Sequence, residues 1–233
     1  MKYSVIVPCY NEEKNIKPLV AEFNKFADQY EMELILVNNG SSDMTSQEID
    51  AQALEYSFVK KANVEVNQGY GFGILSGLEA ATGEFIGWIH ADLQSDPKVF
   101  KEMFQSAENE TGPFLYKGRR SNRTIVDRFF TVGMGLFESI LFMSPLYDCN
   151  SQPTLLSRSF YESWKNPPKD FSLDLYAYTL AAKKKIVLKR FASPQKDRLN
   201  GESTWNTQWN SRIKMILRVV SYSIDVKKRL ESE

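Results

Sequence analysis

The sequence predicts an α/β fold with a mainly parallel central sheet flanked by helices. Three segments carry that prediction. Tyr3 to Val7, Leu34 to Val37 and Phe85 to Ile89 are short apolar runs, and each stops abruptly at polar residues. The stretches between them place apolar residues at helical spacing, and a strand–helix alternation of this kind builds a parallel sheet covered by helices. In such a sheet ligands bind outside the carboxyl ends of the strands. The three endings therefore put Tyr10, Glu12, Asn39 and Asp92 on one rim, which suits a polar ligand of several parts.

Each element has a local reason. Tyr3 to Val7 is a buried strand bounded by Pro8. Asn15 to Tyr30 sets Ile16, Leu19, Val20, Phe23 and Phe26 on one helical face. Leu34 to Val37 is the second strand, and Gly40-Ser41-Ser42-Asp43 turns into a helix near Met44 to Tyr56. Phe58 to Val66 is a weaker strand. Gln68-Gly69-Tyr70-Gly71-Phe72-Gly73 opens a helix ending near Ala81, with Gly83 as its stop. The three glycines read as room for tight packing of that helix, because a lone glycine cluster is weak evidence for a phosphate loop.

Beyond Asp96-Pro97 the rhythm loosens. Lys98 to Ala107 reads as a helix, Phe114 to Gly118 as a strand and Arg119-Arg120-Ser121-Asn122-Arg123 as a basic loop. Val126 to Met143 is a long apolar helix. The wider segment Phe129 to Tyr147 suits the core or a dimer contact, and its aromatic and methionine content also suits a membrane surface. Leu155 to Ser157 and Ile186 to Arg190 are further strands around a helix from Leu173 to Lys183. Trp209 to Arg229 is a basic amphipathic helix, a kind that can lie on anionic lipid or pack on the domain. No repeat or linker interrupts the chain, so residues 1–233 form one domain, with 1–97 the nucleotide-binding half and 98–233 a second half.

Composition narrows the classes. The 233 residues are 42% hydrophobic and 25% charged, ordinary for a soluble globular protein. A formal net charge of +0 provides no field that draws the chain to nucleic acid. Cys9 and Cys149 lack metal or redox spacing and fit a reducing compartment. Glu12 and Glu13 follow the first apolar run at once, unlike a signal peptide, and no stretch reaches the roughly 20 apolar residues of a spanning helix.

Asp92 follows a strand directly, where a carboxylate can reach a hard cation, Mg²⁺ or Mn²⁺, that bridges phosphate oxygens. Five segments then recur in a characteristic order: Val7-Pro8-Cys9-Tyr10-Asn11-Glu12-Glu13, Val37-Asn38-Asn39-Gly40-Ser41-Ser42-Asp43, Asn67-Gln68-Gly69-Tyr70-Gly71, His90-Ala91-Asp92-Leu93-Gln94-Ser95-Asp96-Pro97, and Arg198-Leu199-Asn200-Gly201-Glu202-Ser203-Thr204-Trp205. On these the chain resembles an inverting nucleotide-sugar glycosyltransferase of family 2. Within that family it is similar to the polyprenyl-phosphate branch that includes dolichol-phosphate mannose synthases. The resemblance implies a Rossmann-like nucleotide-diphospho-sugar transferase (GT-A) fold.

The resemblance also implies roles. Pro8, Tyr10, Glu12, Asn39, Gly69, Asp92, Gln94, Arg198 and Ser203 would hold the nucleotide sugar, with Asp92 on the metal and the Arg198–Ser203 loop closing over the diphosphate. Arg119 and Arg128 would meet phosphate on the acceptor side. Inversion needs a base near the acceptor hydroxyl, and Asp174, opening a helix in the second half, is the candidate; an N-terminal helix carboxylate is the alternative reading.

Three departures stand out. Asn38-Asn39 replaces the usual acidic pair. His90 replaces the first Asp of the metal motif, which puts metal dependence in question and leaves a structural histidine as the other reading. Asn150-Ser151-Gln152-Pro153 stands where the polyprenyl branch has Ser-Gly-Phe-Arg, which points away from a standard dolichol-type acceptor. The implied function is sugar transfer to a lipid-linked or polysaccharide intermediate in cell-envelope assembly, from the cytoplasm or the inner face of the membrane as a peripheral protein. The implied partners are the donor, a glycan or lipid-phosphate acceptor and a second copy as homodimer. A nucleotide-sugar-binding protein without transfer activity is the alternative. A nucleotidyltransferase is disfavoured, since Pro8 to Glu13 contains neither Gly nor Arg.

Overall fold

A computed structural model describes residues 1–122, 125–200 and 209–231, with backbone alone for 125–128, 130 and 209–216. Seven strands form one sheet in the order β3-β2-β1-β4-β6-β5-β7. The strands are β1 (Tyr3–Cys9), β2 (Met32–Asn39), β3 (Val59–Val64), β4 (Phe85–Trp88), β5 (Phe114–Ser121), β6 (Thr154–Ser157) and β7 (Val187–Pro194). β1 pairs in parallel with β2 and β4, β2 with β3, and β5 with β7. Only β6 is antiparallel, inserted between β4 and β5. Six strands thus end along one edge, and β6 begins there.

The helices are α1 (Glu13–Asn24), α2 (Thr45–Glu55), α3 (Tyr70–Ala80), α4 (Val99–Ala107), α5 (Ile125–Phe142), α6 (Arg158–Glu162), α7 (Leu173–Lys183) and α8 (Trp209–Glu231). Side chains alternate across a strand, so β1 sends Val5 and Val7 to one face and Ile6 to the other. The first face packs Ile16, Leu19, Phe23, Phe100 and Phe104 from α1 and α4. The second packs Ile74, Leu78, Tyr176, Val226 and Leu230 from α3, α7 and α8. The result is a three-layer sandwich whose strands are buried on both sides, as continuous apolar runs require.

Several local expectations need correction. The first helix stops at Asn24, and a separate 3-10 turn covers Ala27–Gln29. That break brings Tyr30 against Phe26 and Phe104. Gly83 is not a left-handed helix stop: α3 ends in an extended Ala81, and a Cβ at Gly83 would lie 2.7 Å from the Ser4 nitrogen. Arg119, Arg120 and Ser121 are strand, not loop, in register with Ala192, Ser193 and Pro194.

At the edge opposite the carboxyl ends, Glu33 is fully buried and accepts from the Ser4 hydroxyl (2.6 Å) and from the nitrogen and hydroxyl of Thr82 (2.7 and 2.8 Å). Lys60 pairs with its other oxygen. Burial pushes this carboxyl up, but those bonds outweigh it and hold the pKa at about 2.

Candidate active site

The loops after β1 and β2 are tied into one surface. The Asn11 nitrogen donates to the Ser41 hydroxyl (3.2 Å), and the Asn11 side chain accepts from the Ser42 nitrogen (2.9 Å). The Glu12 nitrogen donates to the Thr45 hydroxyl (2.8 Å). Asn11 adopts a left-handed φ of 56°, which Asn tolerates better than most residues. The turn leaves the Tyr10 ring 49% exposed at the rim.

Glu12 accepts from the Asn15 amide at 2.5 Å. Burial raises its carboxyl, the Asn15 bond offsets part of that, and nearby Asp92 adds to the rise while Arg198 opposes it.

Asn39 ends β2. Its amide donates to the Gly69 carbonyl at 3.1 Å, while its buried Oδ1 has no partner among the described residues. Gly69 has φ 105°, a conformation closed to most other residues, and this turns its carbonyl toward Asn39. Gly71 and Gly73 allow close approach instead: Cβ atoms there would lie 2.5 Å from the Asp170 oxygen and 3.0 Å from the Asn39 amide. Pro8 packs against the same glycine face.

Asp92 follows β4. Its Oδ1 accepts from the Gln94 nitrogen (3.1 Å), and its Oδ2 pairs with Arg198 (3.2 Å). Arg198 also donates to the Gln94 side chain (3.3 Å). The segment beyond β7 thus straps this loop, since the Lys196 nitrogen donates to the Gln94 carbonyl and its ammonium reaches Asp96 at 2.7 Å. Asn200 extends the strap to Asn15 (3.0 Å) on α1. His90 stacks on Tyr70 at 5.0 Å, and burial holds it below its ordinary pKa against the pull of Asp92. Among the described residues no three His, Cys, Asp or Glu side chains converge on a point. One carboxylate still fits Mg²⁺ or Mn²⁺, because a hard cation at a diphosphate takes many of its ligands from phosphate and water.

Asp174 lies beneath this rim. It is 2% exposed and pairs with Lys117, itself 0% exposed, at 2.5 Å. It also accepts from Tyr70 (3.0 Å), Gln152 (3.2 Å), Trp88 (3.3 Å) and Thr154 (3.4 Å). Gln152 donates to the Tyr70 oxygen as well (3.0 Å). Burial lowers the Lys117 pKa while Asp174 pulls it back up.

The structure therefore joins Pro8, Glu12, Asn39, Gly69, Asp92, Gln94 and Arg198 through direct contacts or shared charge, with Tyr10 on the same rim. Arg119 is exposed at the end of β5, and Arg120 is turned onto Asp148 in a paired, half-buried position. Ser203 and the Arg128 side chain lie outside the described residues. Sequence reasoning missed Tyr70, Lys117 and Gln152 as site residues. Lys117 carried a readable signal, a cation that directly follows the apolar run from Phe114 to Tyr116 within a strand.

The mainly parallel sheet flanked by helices is a GT-A fold, as the solved structures it aligns with show. The structure aligns with glucosyl-3-phosphoglycerate synthase of Mycobacterium tuberculosis, solved with Mn²⁺, uridine-diphosphate-glucose and phosphoglyceric acid, at a TM-score of 0.76 and 16% identity over 97% of this chain and 80% of that one.

Residues 4–147 match the model for glycosyl transferase family 2, more than half of the sequence, and the chain belongs to that family. It is 34% identical over 125 residues to the undecaprenyl-phosphate 4-deoxy-4-formamido-L-arabinose transferase of Proteus mirabilis, covering 52% of this chain and 38% of the relative. It is 34% identical over 109 residues to the dolichol-phosphate mannosyltransferase of Saccharomyces cerevisiae, covering 46% and 41%. A prophage bactoprenol glucosyl transferase homolog of Escherichia coli is 31% identical over 126 residues, covering 53% and 40%. The matched region spans about two fifths of these relatives.

Proposed function

We propose that the chain transfers a sugar from a nucleotide-diphosphate sugar to a lipid-linked acceptor, with inversion. The observation that carries this reading is the unbroken run of contacts around the rim, from Asn39 to Gly69, through the Tyr70–His90 stack, to Asp92 and Arg198. Such a run gives one ligand a base end and a diphosphate end. Arg198, on its strap, suits the diphosphate oxygens. Asp92, with His90 beside it, would hold Mg²⁺ or Mn²⁺. A cation bound there would neutralise charge gathering on the leaving diphosphate.

Asp174 acts from beneath as a positioning residue, fixing the Tyr70 hydroxyl and the Gln152 amide on the acceptor side. The names of the relatives, which refer to undecaprenyl-phosphate, bactoprenol and dolichol-phosphate, support a lipid-linked acceptor and a working place at a membrane surface. No helix among the described residues is long and apolar enough to cross a membrane.

The test is thermal stabilisation by UDP-, GDP-, CMP- and dTDP-sugars with and without Mn²⁺. At least one donor raises Tm by about 5–10 °C near saturation, and Asp92→Ala loses the effect. A flat response to every donor defeats the reading. A second reading, donor binding without transfer, draws on Arg198 already occupying Asp92. Donor binding with neither hydrolysis nor transfer would establish it.

A further inference from the structure

We propose that Arg198 is the resident cation of Asp92, so that a divalent metal alone is kept off the rim and is admitted only together with a diphosphate that draws the guanidinium away. This deepens the transfer reading above and rests on it for the diphosphate being that of a sugar donor. Asp92 is 7% exposed, and both of its oxygens are engaged. Oδ1 accepts from the Gln94 nitrogen at 3.1 Å, and Oδ2 is met by Arg198 at 3.2 Å. The charge of Arg198 reaches further. It opposes the rise that burial chiefly, and Asp92 as well, imposes on the Glu12 carboxyl, and it adds to the fall that burial imposes on His90. Glu12, His90 and Asp92 therefore already sense one positive charge at the end of β4. A divalent ion on the same carboxylate would face the guanidinium across it, and like charges so close repel strongly where protein replaces water.

The protein offers little to outweigh that repulsion. Among the described residues no three His, Cys, Asp or Glu side chains converge, so a hard cation must draw further ligands from phosphate and water. A diphosphate supplies those ligands. It also gives the guanidinium a partner that it grips with two parallel hydrogen bonds. The strap allows this exchange without coming loose. Lys196, two residues before Arg198, donates its backbone nitrogen to the Gln94 carbonyl at 2.9 Å and pairs with Asp96 at 2.7 Å. Asn200, two residues after, donates to Asn15 at 3.0 Å. The backbone is thus held on both sides. The Arg198 side chain, 29% exposed, can leave Asp92 and its 3.3 Å bond to Gln94 by turning about its own stem.

The test is water-proton relaxation by Mn²⁺, which reads metal held on the protein, with and without inorganic pyrophosphate as a probe that presumes no base. On the wild-type protein Mn²⁺ alone binds weakly, and pyrophosphate tightens it. Arg198→Met, of similar length without the charge, binds Mn²⁺ alone about tenfold more tightly and loses most of the tightening by pyrophosphate, a change within the ordinary range of coupling between two ligands. Arg198→Lys keeps the charge and the exclusion. Adding Asp92→Asn to Arg198→Met abolishes the gain. Circular dichroism and Tm of each variant establish that it folds. Equal binding of Mn²⁺ alone to wild type and Arg198→Met, a gain that survives Asp92→Asn, or wild-type Mn²⁺ binding indifferent to pyrophosphate each overturns the proposal. Thermal shifts of the same proteins with UDP-, GDP-, CMP- and dTDP-sugars separate the two readings. The Arg198 effects without a response to any nucleotide sugar would sink the transfer reading and leave the resident cation standing. A donor response with Mn²⁺ binding unchanged by Arg198→Met would do the reverse.

Discussion

The two halves of the sheet treat polar groups in opposite ways. In the first half they stand at strand ends along the rim. Tyr10 projects from it, Asn39 gives its amide to the Gly69 carbonyl, and Asp92 is met by Arg198 from a strap of the other half. In the second half charges close on one another. Lys117 and Asp174 are sealed beneath the rim, and Arg120 and Arg190 both turn onto Asp148. α5 departs from this pairing. Its Glu138 faces inward beside Cys149, while Phe129, Val132, Leu136 and Ile140 are exposed. The first half sets its site side chains at strand ends along the rim, and the second encloses charge pairs that hold shape.

The largest effect that could break this contrast is at Asp174. Removing it by Asp174→Ala strands a buried ammonium and should cost about 3–5 kcal/mol in urea unfolding, whereas Asp92→Ala, losing one partly buried ion pair at the rim, should cost about 1–2 kcal/mol. Replacing both partners of the pair, Lys117→Met with Asp174→Leu, should recover only part of that stability, because Tyr70, Gln152, Trp88 and Thr154 lose their acceptor as well. Turnover should not return with it, and KM for the donor should stay unchanged, because Tyr70 and Gln152 would remain unanchored. Recovery of kcat with stability would reduce Asp174 to a structural group.

Next in size is Glu33, the enclosed charge of the first half, which lies at the edge away from the rim. Its folded pKa of about 2 is below the unfolded value of about 4.3, so its stabilisation is complete above that unfolded value and disappears as pH falls toward 2. Glu33→Gln should therefore be less stable than wild type by about 2–3 kcal/mol at pH 7, with the gap closing near pH 2. A gap independent of pH would assign the loss to packing instead.

The smallest effect is at Glu138, whose pKa burial raises to about 7, with Asp148 adding to the rise and Cys149 opposing it. A raised carboxyl stabilises below the unfolded value of about 4.3, and that contribution is lost as pH climbs through 7. Glu138→Gln should gain on the order of 2 kcal/mol over wild type between pH 4 and pH 8. Parallel stability curves for the two proteins would show that Glu138 reaches water or a counter-charge.

The first half was legible because its chemistry is local. An apolar run followed by Pro8-Cys9-Tyr10-Asn11-Glu12, or by Gly40-Ser41-Ser42-Asp43, announces both a strand and where it stops. The second half was not, because its partners are remote in sequence. Nothing beside Asp174 names Lys117, 57 positions away, or Tyr70, 104 positions away. Arg119 and Arg120 resemble a solvated turn until β7 is known to run alongside them. Gly83 obeys a helix-end rule by position, yet the backbone of β1 is what forbids a side chain there. Strand direction is equally invisible in local pattern, so the reversal of β6 could not be read from Thr154 to Ser157.

That reversal has an evolutionary consequence. Parallel neighbours need long crossovers, but β6 enters from the rim, and the stretch from Met143 to Pro153 can lengthen or shorten there while Thr154–Ser157 keeps its ladder with Phe85–Trp88. Gly118 marks the limit of that freedom, since a Cβ there would collide with the Gln152 carbonyl. A lineage could thus rewrite one approach segment and leave the first four strands, and the rim at their ends, untouched.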